Sequence, residues 1–391
     1  MNRGNDRQKG FEKEKGIDKQ KDNISHFDQL LRAKNSTQWV DWHWQLANRI
    51  FRAQDIIALL GMNEKQEEEI SRVIEVYPMT VTPYYSSLID RNNPECPVRL
   101  QCIPDRAELN FSTADMEDPL NEEKYSPLPG LIHRYPDRVL LMVTLECAGY
   151  CRHCTRKRKV GDQAVKITMT DIRKGIEYIR EHYQIRDVLI SGGDPLILED
   201  ERLEEIISAI RAISHVEIIR IGTRIPVVVP QRISMSLVNM LKKYHPLWVN
   251  THFNHPYEFT PESEQALARL ANAGIPLGNQ TVLLKGINDS LDTMKELLHL
   301  LVKNRVRPYY LYHCDYSRGV GHFRTRIRDG LEIHKGLLGF TSGVAVPQYV
   351  MDLPGGGGKV PLGSEYIIKY TYTEIIVRNF EGVDYVINLT D

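Results

Sequence analysis

The chain has 391 residues, enough for one large domain or two to three ordinary ones with a sizeable core. Its 50 lysines and arginines nearly cancel its 51 aspartates and glutamates, so no overall charge would attract nucleic acid or a membrane surface. No run of eighteen apolar residues occurs, which argues against a membrane span, and the polar residues 1–23 offer no apolar core for export. Three of the six cysteines are clustered, which indicates reduced thiols and a cytoplasmic protein.

The first 130 residues divide into two regions. Residues 1–25 are rich in Lys, Asp, Gln and Gly and are predicted to be a disordered polar tail, because they cannot bury enough apolar surface to offset ordering. Residues 26–130 are predicted to form a helical N-terminal region and a connecting segment, since apolar residues recur at helical spacing before a stretch with many prolines. Cys96 and Cys102 in this segment are expected to be reduced and structural.

A cysteine cluster follows an apolar run, residues 139–143, that is typical of a buried strand. Cys147, Cys151 and Cys154 form the pattern Cys-x3-Cys-x2-Cys. Three thiolates on one short loop can hold three irons of a cubane cluster and leave the fourth iron free to bind a small molecule. Zinc sites usually use four ligands in two spaced pairs, and the sequence has no second Cys-x2-Cys pair. The pattern therefore favours a reactive iron–sulfur cluster over zinc or a chance group of thiols.

Beyond the cysteines, strands and helices alternate, which predicts a parallel sheet. With residues 139–143 counted first, the further predicted strands are 187–190, 216–221, 247–251, 277–283 and 307–312. Six strand–helix repeats predict an α/β fold with an open or partial barrel, whose core we place at residues 131–362. In such barrels the chemistry gathers at the carboxyl ends of the strands. A C-terminal extension, residues 363–391, contains three alternating segments and is predicted to be a small antiparallel sheet.

Two glycine-rich motifs stand out after the cysteines. The turn Ser191-Gly192-Gly193-Asp194 would let bare backbone approach a ligand closely beside an acid, although a Gly-Gly pair alone usually marks only a turn. Four glycines, 355–358, precede Lys359 and suggest a backbone that passes tightly against something bulky. A phosphate loop is excluded, because the lysine is not followed by Ser or Thr and the Gly-x4-Gly-Lys spacing is absent.

Several segments together resemble the lysine 2,3-aminomutase family of radical S-adenosylmethionine enzymes. Besides the three cysteines and Tyr150, they are His133–Arg138, Cys151–Arg156, Thr251–Asn254, Arg307–Tyr310, Gly321–Arg324 and Asp352–Lys359. The resemblance covers about Trp39 to Gly382 and implies the partial (β/α)6 barrel of radical enzymes. It also implies a [4Fe–4S] cluster, S-adenosylmethionine and pyridoxal 5′-phosphate as cofactors.

The resemblance assigns roles to individual residues. The cluster ligands would be Cys147, Cys151 and Cys154. Contacts to S-adenosylmethionine would come from Ser191, Gly192, Gly193 and Asp194, with His252 and Gln280 as second contacts or as satisfied polar residues at strand ends. Lys359 would carry pyridoxal phosphate as an imine, with the phosphate or ring held by Arg134, Tyr135 and Arg138. The alternative for the two arginines is ordinary surface pairing with Asp137 or Glu123.

The implied reaction moves the α-amino group of an L-amino acid to Cβ. By the resemblance, Arg156 would bind the substrate carboxylate, and Asp315 and Asp352 would face the distal ammonium of L-lysine. Two carboxylates at a barrel mouth repel each other unless a cation lies between them, so their joint presence favours a cationic side chain. The alternative is that Asp352 only caps a turn before Pro354.

Some positions depart from the family pattern. Phe340, Val344 and Leu353 replace the residues expected there, which leaves arginine, ornithine or a modified lysine open as substrates and glutamate less favoured. Ser290 stands where a zinc ligand would be and the cysteine-rich tail is absent, so we predict no structural zinc.

Two other functions from different classes are alternatives to an aminomutase. The alternatives are a radical enzyme that modifies a protein lysine without pyridoxal phosphate and a non-catalytic iron–sulfur electron carrier. Reduced flavodoxin or ferredoxin is the expected electron donor and a small amino acid the expected substrate. No nucleic-acid or membrane partner is expected, and a homo-oligomer is left open.

Overall fold

The computed structural model of the chain describes residues 33–162, 166–363 and 366–389. The tail predicted at residues 1–25 lies outside this part of the chain. The α-helices are α1 (Trp42–Ala47), α2 (Ala53–Leu60), α3 (Glu64–Val76), α4 (Pro83–Ser86), α5 (Pro97–Cys102), α6 (Met169–Glu181), α7 (Asp200–Arg211), α8 (Ile225–Val228), α9 (Met235–Leu241), α10 (Pro261–Asn272), α11 (Leu291–Lys303) and α12 (Ile327–Leu337). The strands are β1 (Leu131–Tyr135), β2 (Arg138–Thr144), β3 (Asp187–Gly192), β4 (Ile218–Gly222), β5 (Leu247–Thr251), β6 (Leu277–Leu283), β7 (Val306–His313), β8 (Gln348–Leu353), β9 (Gly358–Pro361), β10 (Ile367–Tyr370), β11 (Glu374–Arg378) and β12 (Asp384–Asn388).

The strands of the core form one sheet in chain order, which contains nine strands in the described residues. Strands β2 to β8 are parallel to their neighbours, whereas β1 and β9 pair antiparallel at the two edges. Helices lie between successive parallel strands, so all of these strands end at the same side of the sheet. The predicted α/β partial barrel is confirmed, and β8 extends it by one parallel strand beyond the six predicted repeats.

The side chains of the parallel strands alternate between two environments, as the period of two requires. The outward residues Val188, Ile219 and Val249 are fully buried in one apolar cluster with helix residues such as Ile172 and Leu267. The inward residues line a cavity, and they include Leu189, Arg220, Asn250 and Gln280. The barrel interior is therefore a cavity with polar side chains in its wall, whereas the apolar core lies between the sheet and the outer helices.

The two edges of the sheet are joined by side chains. Arg134 on β1 donates from Nε to the Gly356 carbonyl at 2.8 Å, and the Tyr135 hydroxyl accepts from the Lys359 backbone N–H at 3.0 Å. The hairpin between β8 and β9 is also held by the Gly355 N–H, which donates to the Pro119 carbonyl at 2.8 Å. The glycine run thus forms the tip of a hairpin that closes the gap between β9 and β1.

The termini of the described chain add two smaller layers. Helices α1 to α5 lie within residues 26–130, the range predicted to hold a helical region and a connecting segment. Strands β10 to β12 form a separate antiparallel sheet, close to the predicted segments. Of the helices that the structure describes, none is long and apolar enough to cross a membrane.

The hairpin tip yields a prediction about stability. Gly356 has a φ of +79°, and an added Cβ would lie 2.9 Å from Asn121 Cβ and 2.9 Å from Tyr125 Cε2. Gly356→Ala should therefore cost the left-handed penalty of about 1–2 kcal/mol and also push the hairpin off its neighbours. Gly355→Ala is the control, since Gly355 has a φ of +74° but no described atom within 4 Å of the added Cβ. Calorimetry should give a lower Tm for Gly356→Ala than for Gly355→Ala, and equal values would contradict the packing.

Candidate active site

The three cysteines lie on the loop after β2, at the carboxyl end of the parallel strands. They are free cysteines, and burial raises the pKa of Cys154 to about 11 and the pKa of Cys147 above its usual value. Within the described ranges, no group of three or more His, Cys, Asp or Glu side chains is arranged to hold a single metal ion. In a cubane cluster each cysteine binds a separate iron as a thiolate, so the loop suits a cluster.

Buried charges anchor this cysteine loop. The fully buried carboxylate of Glu108 accepts from Arg152 Nη2 and Lys157 Nζ, each at 2.5 Å. Burial lowers the pKa of Lys157 to about 8, an effect that the Glu108 carboxylate opposes. Arg49, which lies just after α1, donates from Nη1 to the Cys147 carbonyl at 2.9 Å. The cysteine loop is therefore fixed to the N-terminal region at its first cysteine, between its second and third cysteines and just after them.

The Ser191–Asp194 turn packs directly against the start of the cysteine loop. A Cβ added to Gly192 would lie 2.1 Å from the Thr144 carbonyl oxygen, and one added to Gly193 would lie 2.1 Å from that of Glu146. The Gly193 N–H also donates to the Thr144 carbonyl at 2.7 Å. The missing side chains are thus required by the contact between backbones. The predicted contact of this turn with S-adenosylmethionine stays a prediction.

Asp194 has a different environment from the one expected. Its carboxylate is buried and accepts from Thr223 Oγ1 at 2.7 Å, the Arg224 N–H at 2.7 Å and the Leu196 N–H at 3.1 Å. Protein donors therefore already occupy this carboxylate. Asp194 fixes the ends of β3 and β4 to each other. Its contact with S-adenosylmethionine stays a prediction.

His252 directly follows β5, at the same side of the barrel as the cysteines, and Gln280 lies within β6. Burial and then the charge of Arg224 lower the pKa of His252 to about 4, so its imidazole is neutral at physiological pH. Gln280 lines the interior cavity and donates from Nε2 to the Tyr312 hydroxyl at 3.4 Å.

The interior cavity has a volume of about 760 Å³ and gathers all the residues predicted to bind pyridoxal phosphate and two of the three predicted to bind substrate. The third, Asp315, is not among the described residues that line it. The cavity wall includes Lys359, Arg134, Tyr135, Arg138, Arg156, Gln280 and Asp352. A second cavity, of about 840 Å³, lies on the outer side of the cysteine loop and is lined by residues such as Arg49, Tyr150 and Lys166. Because the predicted groups line the first cavity, we take it as the place for a small substrate.

Lys359 is positioned by the register of the hairpin. Asp352 on β8 pairs directly with Lys359 on β9, so the two side chains share one face, and Lys359 Nζ donates to Asp352 Oδ2 at 2.7 Å. The ammonium lies 4.1 Å from the ring centroid of Tyr312 and 5.2 Å from that of Tyr310. Burial lowers the pKa of Lys359, while Asp352 opposes that shift. An amine with a lowered pKa beside aromatic rings suits imine formation.

The predicted phosphate-binding residues differ in their contacts. Arg134 lies over the Tyr125 ring at 4.6 Å and is engaged in the hairpin contact described above. The Arg138 guanidinium lies 3.9 Å from the Tyr135 ring centroid and also pairs with Asp137 at 2.8 Å. The surface pairing with Asp137 is therefore present, although Arg138 still lines the cavity. These groups fit an anionic, planar ligand, with Arg138 the less constrained of the two arginines.

Arg156 is already paired with an acid that the sequence interpretation did not single out. Its Nε and Nη2 donate to Glu122 Oε1 at 2.9 and 2.7 Å, and both residues line the cavity. Its remaining nitrogen, Nη1, lies 3.5 Å from the Gly192 carbonyl. Glu122 thus orients Arg156 and directs Nη1 between the Ser191–Asp194 turn and the cavity.

Asp315 and Asp352 are electrostatically coupled. Thr155 Oγ1 donates to Asp315 Oδ2 at 2.5 Å, whereas the buried Oδ1 has no hydrogen-bond partner among the described residues. Burial, and next to it the charge of Asp352, raise the pKa of Asp315 to about 6. An unpartnered buried carboxylate oxygen close to a second carboxylate suits a cationic ligand. Asp352 lies within β8, which does not match the alternative of a turn cap.

The positions that depart from the family pattern lie mostly away from the cavity. Phe340 and Val344 are exposed, and Phe340 packs against Phe380 with 5.3 Å between ring centroids. Of the departures, Leu353 alone is among the described residues that line the cavity. Ser290 caps α11 by accepting from the Thr293 N–H at 3.2 Å.

Two family models and several known proteins match this chain. A family model described as the radical SAM superfamily matches residues 141–301, and one described as lysine-2,3-aminomutase matches residues 334–388. The chain is 56% identical over 346 residues to the L-lysine 2,3-aminomutase of Fusobacterium nucleatum, covering 88% of this chain and 81% of the relative. It is 54% identical to that of Clostridium subterminale, covering 91% and 85%. It is also 44% identical to the glutamate 2,3-aminomutase of Clostridioides difficile, covering 90% and 84%.

The anchor of the cysteine loop can be tested by substitution. Glu108→Gln would leave Arg152 and Lys157 as buried cations without their counter-ion, which should cost about 3–5 kcal/mol and loosen the loop. Iron and sulfide bound per chain after anaerobic reconstitution should fall, together with the Tm. Glu117→Gln is the control, because its exposed carboxylate pairs with the exposed Arg318 and should contribute no more than about 1 kcal/mol. Equal iron content in the two variants would contradict the anchoring role.

Proposed function

Because this chain belongs to the lysine 2,3-aminomutase family of radical S-adenosylmethionine enzymes, we propose that it moves the α-amino group of L-lysine to Cβ and forms β-lysine. Membership of this family brings a [4Fe–4S] cluster and S-adenosylmethionine as cofactors. The enzyme is an aminomutase, and therefore an isomerase.

The observation that supports lysine as substrate is the acid pair Asp315 and Asp352. In the structure the ammonium of Lys359 is already bound to Asp352, at 2.7 Å. A lysine side chain therefore fits this carboxylate, and the buried, unpartnered Oδ1 of Asp315 offers a further acceptor. When Lys359 is engaged elsewhere, the ammonium of a substrate lysine can take its position between the two acids.

Arg156 completes the proposed substrate site at the other end. Its guanidinium is held by Glu122, which leaves Nη1 free of strong contacts in the described part of the chain and able to bind the substrate carboxylate. A cation site and an anion site in one cavity wall select an amino acid with a distal positive charge. A glutamate side chain would instead place a third carboxylate beside Asp315 and Asp352, so we rank that relative's substrate lower.

We propose Lys359 as the attachment point for pyridoxal phosphate. Arg138, Arg134 and Tyr135 would hold the phosphate or ring, and Tyr310 and Tyr312 would flank it. When bound, pyridoxal phosphate supplies an imine nitrogen and an electron sink, while the cluster and S-adenosylmethionine supply a radical that removes a substrate hydrogen. The barrel wall would hold the substrate, and Gln280 in that wall and the neutral His252 at the end of β5 would contact S-adenosylmethionine.

We place the enzyme in the cytoplasm with reduced flavodoxin or ferredoxin as its electron donor. A homo-oligomer remains compatible with this proposal. The interior position of the cavity favours a small amino acid over a lysine of another protein, and the open cluster site favours catalysis over electron transfer alone.

The reaction itself can be tested with anaerobically reconstituted protein given pyridoxal phosphate, S-adenosylmethionine and dithionite. Lysine, ornithine, arginine and glutamate are offered separately, and β-amino acids are detected by mass spectrometry after derivatisation. We expect β-lysine as the main product. A β-product from another amino acid alone would reject lysine, and cleavage of S-adenosylmethionine without any β-product would reject the aminomutase proposal.

The attachment point is tested in the same preparation. Lys359→Ala should lose both the Schiff-base absorbance with pyridoxal phosphate and all product. Lys369→Ala is the control, because Lys369 is exposed on β10 and pairs with Glu374, so both signals should persist. Retention of the absorbance in Lys359→Ala would place the cofactor on another lysine.

The acid pair predicts a pH dependence. Asp315 must be ionised to attract the substrate ammonium, so kcat/KM for lysine should fall as the pH drops through about 6. Asp315→Asn should lower kcat/KM above pH 7 by roughly 10–100-fold, the loss of a charged hydrogen bond, and should remove this acid limb. Thr155→Val should move the limb to higher pH, since the Thr155 hydroxyl favours the ionised form. An acid limb unchanged in Asp315→Asn would assign it to another group.

A further inference from the structure

Arg224 connects the cysteine loop to a buried polar network. It lies just beyond β4 and is almost fully buried. Its Nη1 donates to Cys151 Sγ at 2.8 Å. Its Nη2 donates to the Glu258 carboxylate at 2.7 Å, to Gln101 Oε1 at 2.7 Å and to the Tyr85 hydroxyl at 3.0 Å. One end of the guanidinium therefore contacts a proposed cluster ligand, and the other is fixed by the protein.

Glu258 makes this orientation rigid. Its carboxylate is fully buried and accepts from the Asn254 N–H at 2.6 Å and the His255 N–H at 3.1 Å through Oε2. Through Oε1 it accepts from Tyr85 and from Arg224. Because the planar guanidinium is held on one side by a carboxylate that cannot move freely, its Nη1–H is directed at the sulfur.

The backbone of the same residue reaches the neighbouring turn. The Arg224 N–H donates to Asp194 Oδ2 at 2.7 Å, and the adjacent Thr223 hydroxyl donates to Asp194 Oδ1. The position of the guanidinium is thus coupled to the turn that packs on the cysteine loop. This second attachment limits the freedom of Arg224 to leave the sulfur.

The charge on Arg224 has a defined effect on cluster reduction. One electron from an external reductant converts [4Fe–4S]2+ to [4Fe–4S]1+ and adds negative charge beside the sulfur. A cationic donor to a ligating sulfur stabilises that added charge, and burial strengthens the effect because the local dielectric is low. Glu258 acts in the opposite direction, since its negative charge offsets part of the arginine's field.

We infer that Arg224, oriented by Glu258, sets the reduction potential of the cluster through its hydrogen bond to Cys151. Arg224 is in this sense a positioning and tuning residue for the cluster. The inference rests on the proposed function, because it requires the cluster to form on the three cysteines. It predicts shifts of opposite sign for the two members of the pair, which a merely structural link would not produce.

The test is a redox titration of reconstituted protein with dithionite and mediators, with the reduced cluster measured by electron paramagnetic resonance. Arg224→Gln should shift the midpoint potential to more negative values, and Arg224→Lys should shift it less. Glu258→Gln should shift it to more positive values, because the amide oxygen can still accept from Arg224 and hold its orientation while the offsetting negative charge is lost. Arg232→Lys is the control, since Arg232 is equally buried but donates to the carbonyls of Leu196 and Leu198 and pairs with Asp200. Its potential should match that of the unmodified protein.

Iron and sulfide analysis separates failure of the inference from failure of the proposed function. If unmodified protein binds no cluster, the proposed function fails and the inference fails with it. If the cluster assembles in the variants but the potentials of Arg224→Gln and Glu258→Gln are unchanged or shift in the same direction, the inference alone is wrong. If Arg224→Gln does not assemble a cluster, the potential of Glu258→Gln is the test. A positive shift supports the inference, whereas no shift or a negative shift contradicts it.

Discussion

A single buried carboxylate, Glu108, holds the part of the chain on which the chemistry depends. It binds the cations on either side of Cys154, namely Arg152 and Lys157, without access to water. A loop that carries cluster ligands has little apolar surface of its own to bury, so its shape must be imposed by polar contacts. Burying two cations is unfavourable unless their counter-ion is rigidly placed. The segment after α5 that carries Glu108 therefore shapes the candidate active site, although it supplies none of the proposed reacting groups.

Charged residues inside the barrel are likewise paired with one another. Two of the charges that we assign to substrate recognition are paired with residues of the protein itself, Arg156 with Glu122 and Asp352 with Lys359. Such pairing avoids the cost of leaving charges buried and alone in the free enzyme. It also means that ligands bind by exchange of partners, so the net gain in binding is smaller than the contacts in the complex would suggest. Asp315 differs, because its second oxygen lacks a partner in the described structure. A cationic ligand would therefore add a hydrogen bond to Asp315 without displacing an existing one.

Much of the architecture could be predicted because the signals were local. The strand predicted at residues 139–143 lies within β2, because a buried parallel strand has a continuous apolar pattern. Strands β8 and β9 were missed because the glycines between them resemble a loop and β8 is recognised only by its pairing with β7. Glu122 and Arg224 were not assigned roles, because their partners Arg156 and Cys151 are distant in sequence. No local pattern distinguishes a glutamate that orients an arginine from one on a solvated surface.

The hairpin that carries Asp352 and Lys359 has a consequence for how this enzyme can vary. The two residues face each other across an antiparallel ladder, and the connection 354–357 fixes that register. A pairing shifted by one residue would turn one of the two side chains away from the cavity while leaving every functional residue in the sequence. Exposed turns ordinarily tolerate insertions well. Here, however, the length of the turn determines whether Lys359 lies opposite Asp352, and so how the proposed cofactor and substrate sites are aligned. Chain length in this turn is thus constrained as strongly as the identity of Lys359, the lysine that we propose to carry the cofactor.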